Sequence, residues 1–234
     1  MPLHWRAFLG IQYVLGSIPP DRDTLIWLQS QISTVQGAQP PPGRALEITL
    51  DDALKFLSMH PEYFTTWREN VSELIEDESA RQEILSLTDE ELLERAKESY
   101  NKFLSSVNRV MGSDIPYQQK YLELQELEEE PKNHPVQDPV GILLLFVLSN
   151  VAEQHDIYIR GIANFNAIRA AIEIYMVKAE TGQLPEMLPA HLPKDPFSSQ
   201  DFEYEATNQG FVLRCREKEI GEDRIWEYEF VIAQ

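Results

Sequence analysis

Residues 164–204 read NFNAIRAAIEIYMVKAETGQLPEMLPAHLPKDPFSSQDFEY, and two changes of pattern inside them decide the fold. Phe165, Ile168, Ile172 and Tyr175 first recur at helical spacing. Gly182 then marks a helix stop, and the proline-studded connector QLPEMLPAHLPKDPF follows it. Beyond the connector the period falls to two. Phe202 and Tyr204, then Phe211, Leu213 and Cys215, then Ile225, Trp226, Tyr228, Phe230 and Ile232 predict three short strands joined through ATNQG and EIGED. A helix followed by a meander buries its apolar stripe by lying across the sheet.

Upstream, the pattern is helical almost throughout. The stretch Ala7–Ile18 predicts an amphipathic helix rather than a signal peptide, since no Ala-x-Ala site follows it. Leu25, Leu28, Ile32 and Val35 predict a second helix, ended by Gly37 and the Pro40-Pro41-Pro42-Gly43 break. Thr49 with Asp52 predicts a capped short helix through Leu57, and Phe64, Trp67, Val71 and Leu74 form the stripe of the next one. Glu76, Asp77 and Glu78 predict a solvated surface after it. Thr88 and Glu91 have capping-box spacing and open a helix with Leu93, Ala96, Tyr100, Phe103, Val107 and Val110 on one face, stopped by Gly112. Pro116 restarts a helix carrying Tyr117, Tyr121, Leu124 and Leu127, which is expected to run out in the linker EEEPKNHPVQD. Asp138-Pro139 predicts the start of a long helix reaching Thr181, with Gly161 as its expected kink. No internal repeat occurs.

The formal charge of −19 disfavours nucleic acid and anionic lipid as partners, because such a surface repels phosphate. Solubility alone accounts for acidity of this kind. The hydrophobic fraction of 43% lies in the globular range. Cys215 is the single cysteine, so no intrachain disulfide forms, and its place on a strand's apolar face predicts packing rather than reactivity. The apolar run Val140–Ala152 is shorter than the about 20 residues a bilayer requires and predicts a buried core helix.

Chemistry has little positional support. His4, His60, His134, His155 and His191 include no pair at the helical spacing of a zinc site. Walker, dinucleotide-binding, nucleophile-elbow and CxxC motifs are absent from the sequence. EF-hand spacing is missing too, and the contiguous glutamates before Pro131 diverge. Glu222 and Asp223, in an expected turn, bring few local oxygen ligands together for calcium. The residue-level expectation is therefore no catalytic residue, no cofactor and no metal.

The run IRAAIEIYMVKAETGQLPEMLPAHLPKDPFSSQDFEYEATNQGFVLRC, residues 168–215, resembles the C-terminal half of the globular domain of type II secretion major pseudopilins. In that family a helix ends in a glycine-containing turn. A leucine-proline segment, a Lys-Asp-Pro-aromatic motif and a strand bearing aromatics follow. Gly182, Pro185, Leu188, Leu192, Lys194, Asp195, Pro196, Phe197 and Tyr204 occupy the matching places. The match is similar, too, to bacterial envelope proteins that set this module after a long helical region. The family's anchoring helix, with the glutamate that follows its cleavage site, and its calcium-loop aspartates are not recognisable here, and Glu222 and Asp223 are at most a remnant of the latter. Independently of the resemblance, Pro196 restricts Asp195 to extended backbone. The Asp195 carboxylate is then expected to accept N–H groups of the turn while Phe197 plugs the helix–sheet interface.

The resulting expectation is an α+β chain: a mostly helical region over 1–130, then a long helix packed on a three- to four-stranded antiparallel sheet over 138–234. The resemblance implies a non-catalytic, envelope-associated scaffold with protein partners, tethered to a membrane by a segment outside this sequence. Alternatives are a module binding a peptide or small ligand, a hydrolase with a triad assembled from distant residues, and a cytoplasmic location.

Overall fold

A computed structural model of the chain describes residues 22–37, 52, 55, 59–60, 62–73, 75, 77–133 and 150–232. Its named elements are α1 (Arg22–Gly37), α2 (Glu62–Glu73), α3 (Glu78–Ser86), α4 (Asp89–Gly112), α5 (Tyr117–Asn133), α6 (Val151–Thr181), β1 (Glu203–Ala206), β2 (Gly210–Arg214) and β3 (Glu227–Val231). The fold is α+β, with a long helix and a three-stranded antiparallel sheet in the order β1-β2-β3. The expected helices over Ala7–Ile18 and through Leu57, the residues Asp138-Pro139 and most of the run Val140–Ala152 lie outside the described residues. The long helix does not run unbroken from Asp138, however, since Asn150, at φ 98, is non-helical and α6 starts at Val151. No helix among the described residues is long and apolar enough to cross a membrane. The chain clusters into two units, Met1–Pro40 with Pro116–Gln118 and Asp156–Gln234, and Pro41–Ile115 with Gln119–His155.

In the first unit the sheet is a simple meander. Phe211 lies opposite Ala206 on one side and Phe230 on the other, and Leu213 lies between Tyr204 and Tyr228. Period two therefore sends Phe211, Leu213, Cys215, Tyr228 and Phe230 to one face, and all five are buried. They meet a broad arc of α6 that includes Ala163, Ala167, Ile168, Ala171, Ile172, Ile174 and Tyr175. That arc is wider than the stripe read from the sequence because α1 joins the same core through Leu25 and Leu28. The alanines let neighbouring backbones approach closely. Ring contacts reinforce the seam, with Phe211 stacked on Phe230 at 5.1 Å and met edge-on by Tyr175 at 5.5 Å. Tyr175 also donates its hydroxyl to the Val231 carbonyl at 3.0 Å.

Glycine is required at two points. Gly182 closes α6 in the left-handed region, φ +78, and its N–H reaches the Lys178 carbonyl at 2.7 Å. Gly210 opens β2 where an added Cβ would fall 1.9 Å from the Phe230 oxygen.

The second unit is built from α2–α4, most of α5 and the first residues of α6. Its core holds Ile75, Ile84, Leu92, Ala96, Tyr100, Val107, Val110, Leu124, Val151 and Ala152. Thr88 caps α4 as the spacing predicts: Glu91 N–H donates to Thr88 Oγ1 at 3.2 Å, and Thr88 N–H to Glu91 Oε2 at 2.8 Å. Two sequence readings change. Helix α5 continues through the glutamates and Pro131 to Asn133, so the first half of the expected linker is helical. Glutamates favour helix, and Pro131 removes a single ladder bond. A helix the sequence reading did not name, α3, opens at Glu78, which is solvent-exposed as expected; its few apolar residues leave almost no periodic signal.

Candidate functional site

Two clusters of ionisable side chains are buried in the first unit, and each ties a loop to the core. The first is centred on Asp195, in the connector between α6 and β1. Asp195 is fully buried. Its Oδ1 accepts the Phe197 N–H at 3.0 Å, and its Oδ2 accepts the Ser198 hydroxyl at 2.6 Å and the Arg216 N–H at 2.9 Å. Its own backbone closes the same turn, N–H to the Gln200 carbonyl and carbonyl from the Ser199 N–H, both at 2.8 Å. Pro196 supplies the reason for this arrangement, since it holds Asp195 extended and aims the carboxylate at the amides that follow. Phe197 points inward, 1% exposed, and meets the Tyr117 ring edge-on at 4.9 Å.

The other motif residues distribute around this pin. Lys194 is exposed, but its carbonyl accepts the Asn166 side-chain amide at 2.8 Å, which fixes the connector to α6. Leu188 packs half-buried against the core, and Pro185 is half-buried near the connector's start, just after Gly182. Tyr204, half-buried on β1, tilts against Phe211 at 5.9 Å. Cys215, buried just past the end of β2, is held protonated, since burial and the nearby Asp195 carboxylate push its thiol well up.

The second cluster went unread in the sequence. Between β2 and β3 the chain makes an excursion over residues 216–225, where the sequence had suggested a turn at EIGED. It begins as Cys215 N–H bonds to the Trp226 carbonyl at 2.8 Å, and it narrows again at a bridge between Glu219 and Arg224. Glu219, fully buried, returns its carboxylate to α6. Its Oε1 accepts the Arg160 Nε–H at 2.7 Å and a second bond from Arg160 Nη2, and its Oε2 accepts the Trp226 indole N–H at 2.6 Å. Arg160 Nη1 also reaches Glu222 at 3.0 Å. The Arg160 and Arg224 guanidiniums lie 5.2 and 4.4 Å from the Trp226 ring centre. Beside them the Ile220 N–H donates to the Tyr117 hydroxyl at 3.0 Å, and that hydroxyl donates to Asp156. Burial, with Asp156 accepting that bond, pushes the Tyr117 phenol far up.

Burial also pushes the Glu219 carboxyl up to about 7, against the pull of its bonds to Arg160 and Trp226. The signal for this cluster was faint but present: Arg160 interrupts the apolar stretch IYIRGIANF, and a charge on such a face needs a partner. That partner lies 59 residues away in sequence, beyond any spacing rule.

The expected calcium remnant is engaged otherwise, with Glu222 on Arg160 and Asp223 on Lys218 at 2.8 Å. Among the described residues no group of three or more His, Cys, Asp or Glu is placed to hold a metal ion. Both clusters bond protein to protein, so what they can do chemically is fix loops. The outer sheet face presents Glu203, Glu205, Glu227 and Glu229 to solvent, with Arg214 between them paired to Glu227 at 2.7 Å. No family model, curated protein or solved structure matches the chain.

Proposed function

We propose that the chain is a non-catalytic scaffold or interaction protein of the bacterial envelope, with a pseudopilin-like C-terminal unit. The observation that carries this reading is the Asp195 pin: a fully buried carboxylate whose two oxygens accept from Phe197, Ser198 and Arg216. It sits in the Lys-Asp-Pro-Phe motif on which the resemblance rests. A carboxylate so engaged orders a connector, and the helix-on-meander frame around it presents rigid surface. Protein contact suits such a frame, with the sheet's acid-rich outer face turned to solvent.

The test combines fractionation of native cells with in-cell crosslinking of the full-length protein. The reading expects the protein in the envelope fraction, crosslinked to envelope components through the sheet face. Replacing Glu203, Glu205, Glu227 and Glu229 by glutamine is expected to remove those crosslinks without unfolding the sheet. Recovery solely from the soluble cytoplasmic fraction, with no crosslinked envelope component, would sink it.

A further inference from the structure

The two edges of the sheet differ. The Thr207 N–H closes the β1–β2 hairpin on the Gly210 carbonyl at 2.8 Å, and bonded pairs alternate from there, Glu205 with Val212 and Glu203 with Arg214. The N–H and C=O groups of Tyr204 and Ala206 therefore point away from β2, out of the sheet. None of these groups has a hydrogen-bond partner among the described residues. The corresponding edge of β3 is engaged, since the Val231 carbonyl accepts the Tyr175 hydroxyl from α6 at 3.0 Å.

The side chains along β1 describe what fits its edge. Tyr204 and Ala206 lie on the core face, opposite Leu213 and Phe211, yet Tyr204 is only half-buried and Ala206 is exposed. The core face thus stays open to solvent at this edge. Glu203 and Glu205 lie on the outer face, both exposed. Glu203 already shares Arg214 and Arg216, at 3.7 and 3.5 Å, whereas Glu205 makes no ion pair among the described residues. A second copy of β1 suits the edge poorly, because full antiparallel overlap sets Glu205 against its own copy.

We infer that the free edge of β1 is a docking site for an extended, basic segment of a protein partner, which adds antiparallel as a fourth strand. Main-chain bonds to Tyr204 and Ala206 supply the hold, and side chains set the choice. Partner residues opposite Tyr204 and Ala206 make the bonded pairs and face the core side, where apolar side chains are favoured. Those opposite Glu203 and Glu205 make the close, non-bonded pairs on the outer face, where lysine or arginine is favoured. The inference rests on the reading of the chain as an interaction protein and names the partner's chemistry.

The probe is a short capped peptide of alternating lysine and valine, added to the purified full chain, with amide hydrogen exchange as the readout. With free peptide at about ten times its Kd, exchange at Tyr204 and Ala206 is expected to slow about tenfold. The same peptide with glutamate for lysine is expected to bind far more weakly. N-methylation of the valines, whose N–H groups would face β1, is expected to abolish the slowing. Ala206→Pro removes an edge donor without touching the β1–β2 ladder. It is expected to raise the lysine peptide's Kd roughly tenfold while β2 amides keep their protection. Unchanged exchange at Tyr204 and Ala206 overturns the proposal, and so does slowing that the glutamate or N-methylated peptide reproduces. An unchanged Kd in a folded Ala206→Pro chain overturns it too. No cell component enters this experiment, so its failure leaves the envelope reading to fractionation and crosslinking, and a cytoplasmic location leaves its result unaffected.

Discussion

The Asp195 carboxylate bonds the backbone N–H of Arg216, 21 residues further along, at 2.9 Å. That single bond joins the connector after α6 to the end of β2, and it defines the path of β1 between them. A strand of only four residues, mostly exposed, has little burial of its own to hold it. Its place depends on the pin at one end and on Phe202 and Tyr204 packing beneath. Asp195→Ala leaves the buried Phe197 N–H and the part-buried Ser198 and Arg216 donors without this acceptor, and a fully buried orphan costs about 1–3 kcal/mol. The expected loss is roughly 3 kcal/mol in urea denaturation, with β1 and the connector losing exchange protection first. Asp195→Asn keeps one acceptor oxygen and is expected to lose less. A variant as stable as wild type would show that the pin does not carry the connector.

Gly182 and Gly210 make a contrast in kind. At Gly182 a Cβ meets nothing within 4 Å, so Gly182→Ala is opposed only by the left-handed backbone. The expected cost is about 1 kcal/mol. At Gly210 a Cβ would lie 1.9 Å from the Phe230 carbonyl oxygen and 3.1 Å from the Val231 Cα. Backbone on the neighbouring strand cannot swing aside as a side chain would. Gly210→Ala must part β2 from β3 locally and is expected to cost more than about 3 kcal/mol, or to prevent sheet formation. Urea midpoints of the two variants, measured side by side, check the order. Equal losses would refute the assignment of distinct causes.

How much of this was legible beforehand depended on the range of the interaction. Local chemistry read well: Asp195-Pro196 sets its own turn, and the alternation of Phe211, Leu213 and Cys215 sets its own face. The core-facing side of α4 read nearly as well, though Leu92 rather than Leu93 is the fully buried residue. Contacts across the chain did not read. Nothing near Leu25 and Leu28 shows that α1 shares a core with the sheet, since an amphipathic stripe names no partner. Glu219, set in the charged run REKEIGED, looks like turn surface and is instead wholly buried. Helix α3 leaves no such signal because Ile84 is the one fully buried residue among those described in it, and one residue cannot display a period.

The capping box at Thr88 gives a prediction in the second unit. Thr88 Oγ1 satisfies the Glu91 N–H, and Glu91 reaches back to the Thr88 N–H, so two helix-start donors depend on this pair. Thr88→Ala removes the acceptor and is expected to cost about 1 kcal/mol. Thr88→Ser restores the hydroxyl and should recover most of that loss. Bonds from Thr88 hold the Glu91 carboxyl below its ordinary value. In Thr88→Ala the Glu91 titration, followed by NMR, is therefore expected to move upward. A Thr88→Ala chain with unchanged stability and an unmoved Glu91 titration would show that α4 starts without its cap.

His155 makes acid sensitivity a property of the second unit. The side chain is 2% exposed, and burial pushes its imidazole down to about 4, with Lys120 adding to the effect. In the unfolded chain the same imidazole titrates near 6.5. A base whose folded value is depressed contributes stability above its unfolded value and loses it as the pH falls. Between pH 7.5 and pH 5 the unfolded chain gains a proton that the folded chain refuses, a loss of about 2 kcal/mol. Glu219 works in the opposite direction over part of this range, since its raised carboxyl takes up a proton in the folded state first. The two contributions separate by difference. His155→Gln removes the histidine's share, so the stability of wild type minus that of His155→Gln is expected to fall by about 2 kcal/mol from pH 7.5 to pH 5. Urea denaturation of both chains at the two pH values measures that difference, and a constant difference would mean that His155 accepts its proton in the folded protein.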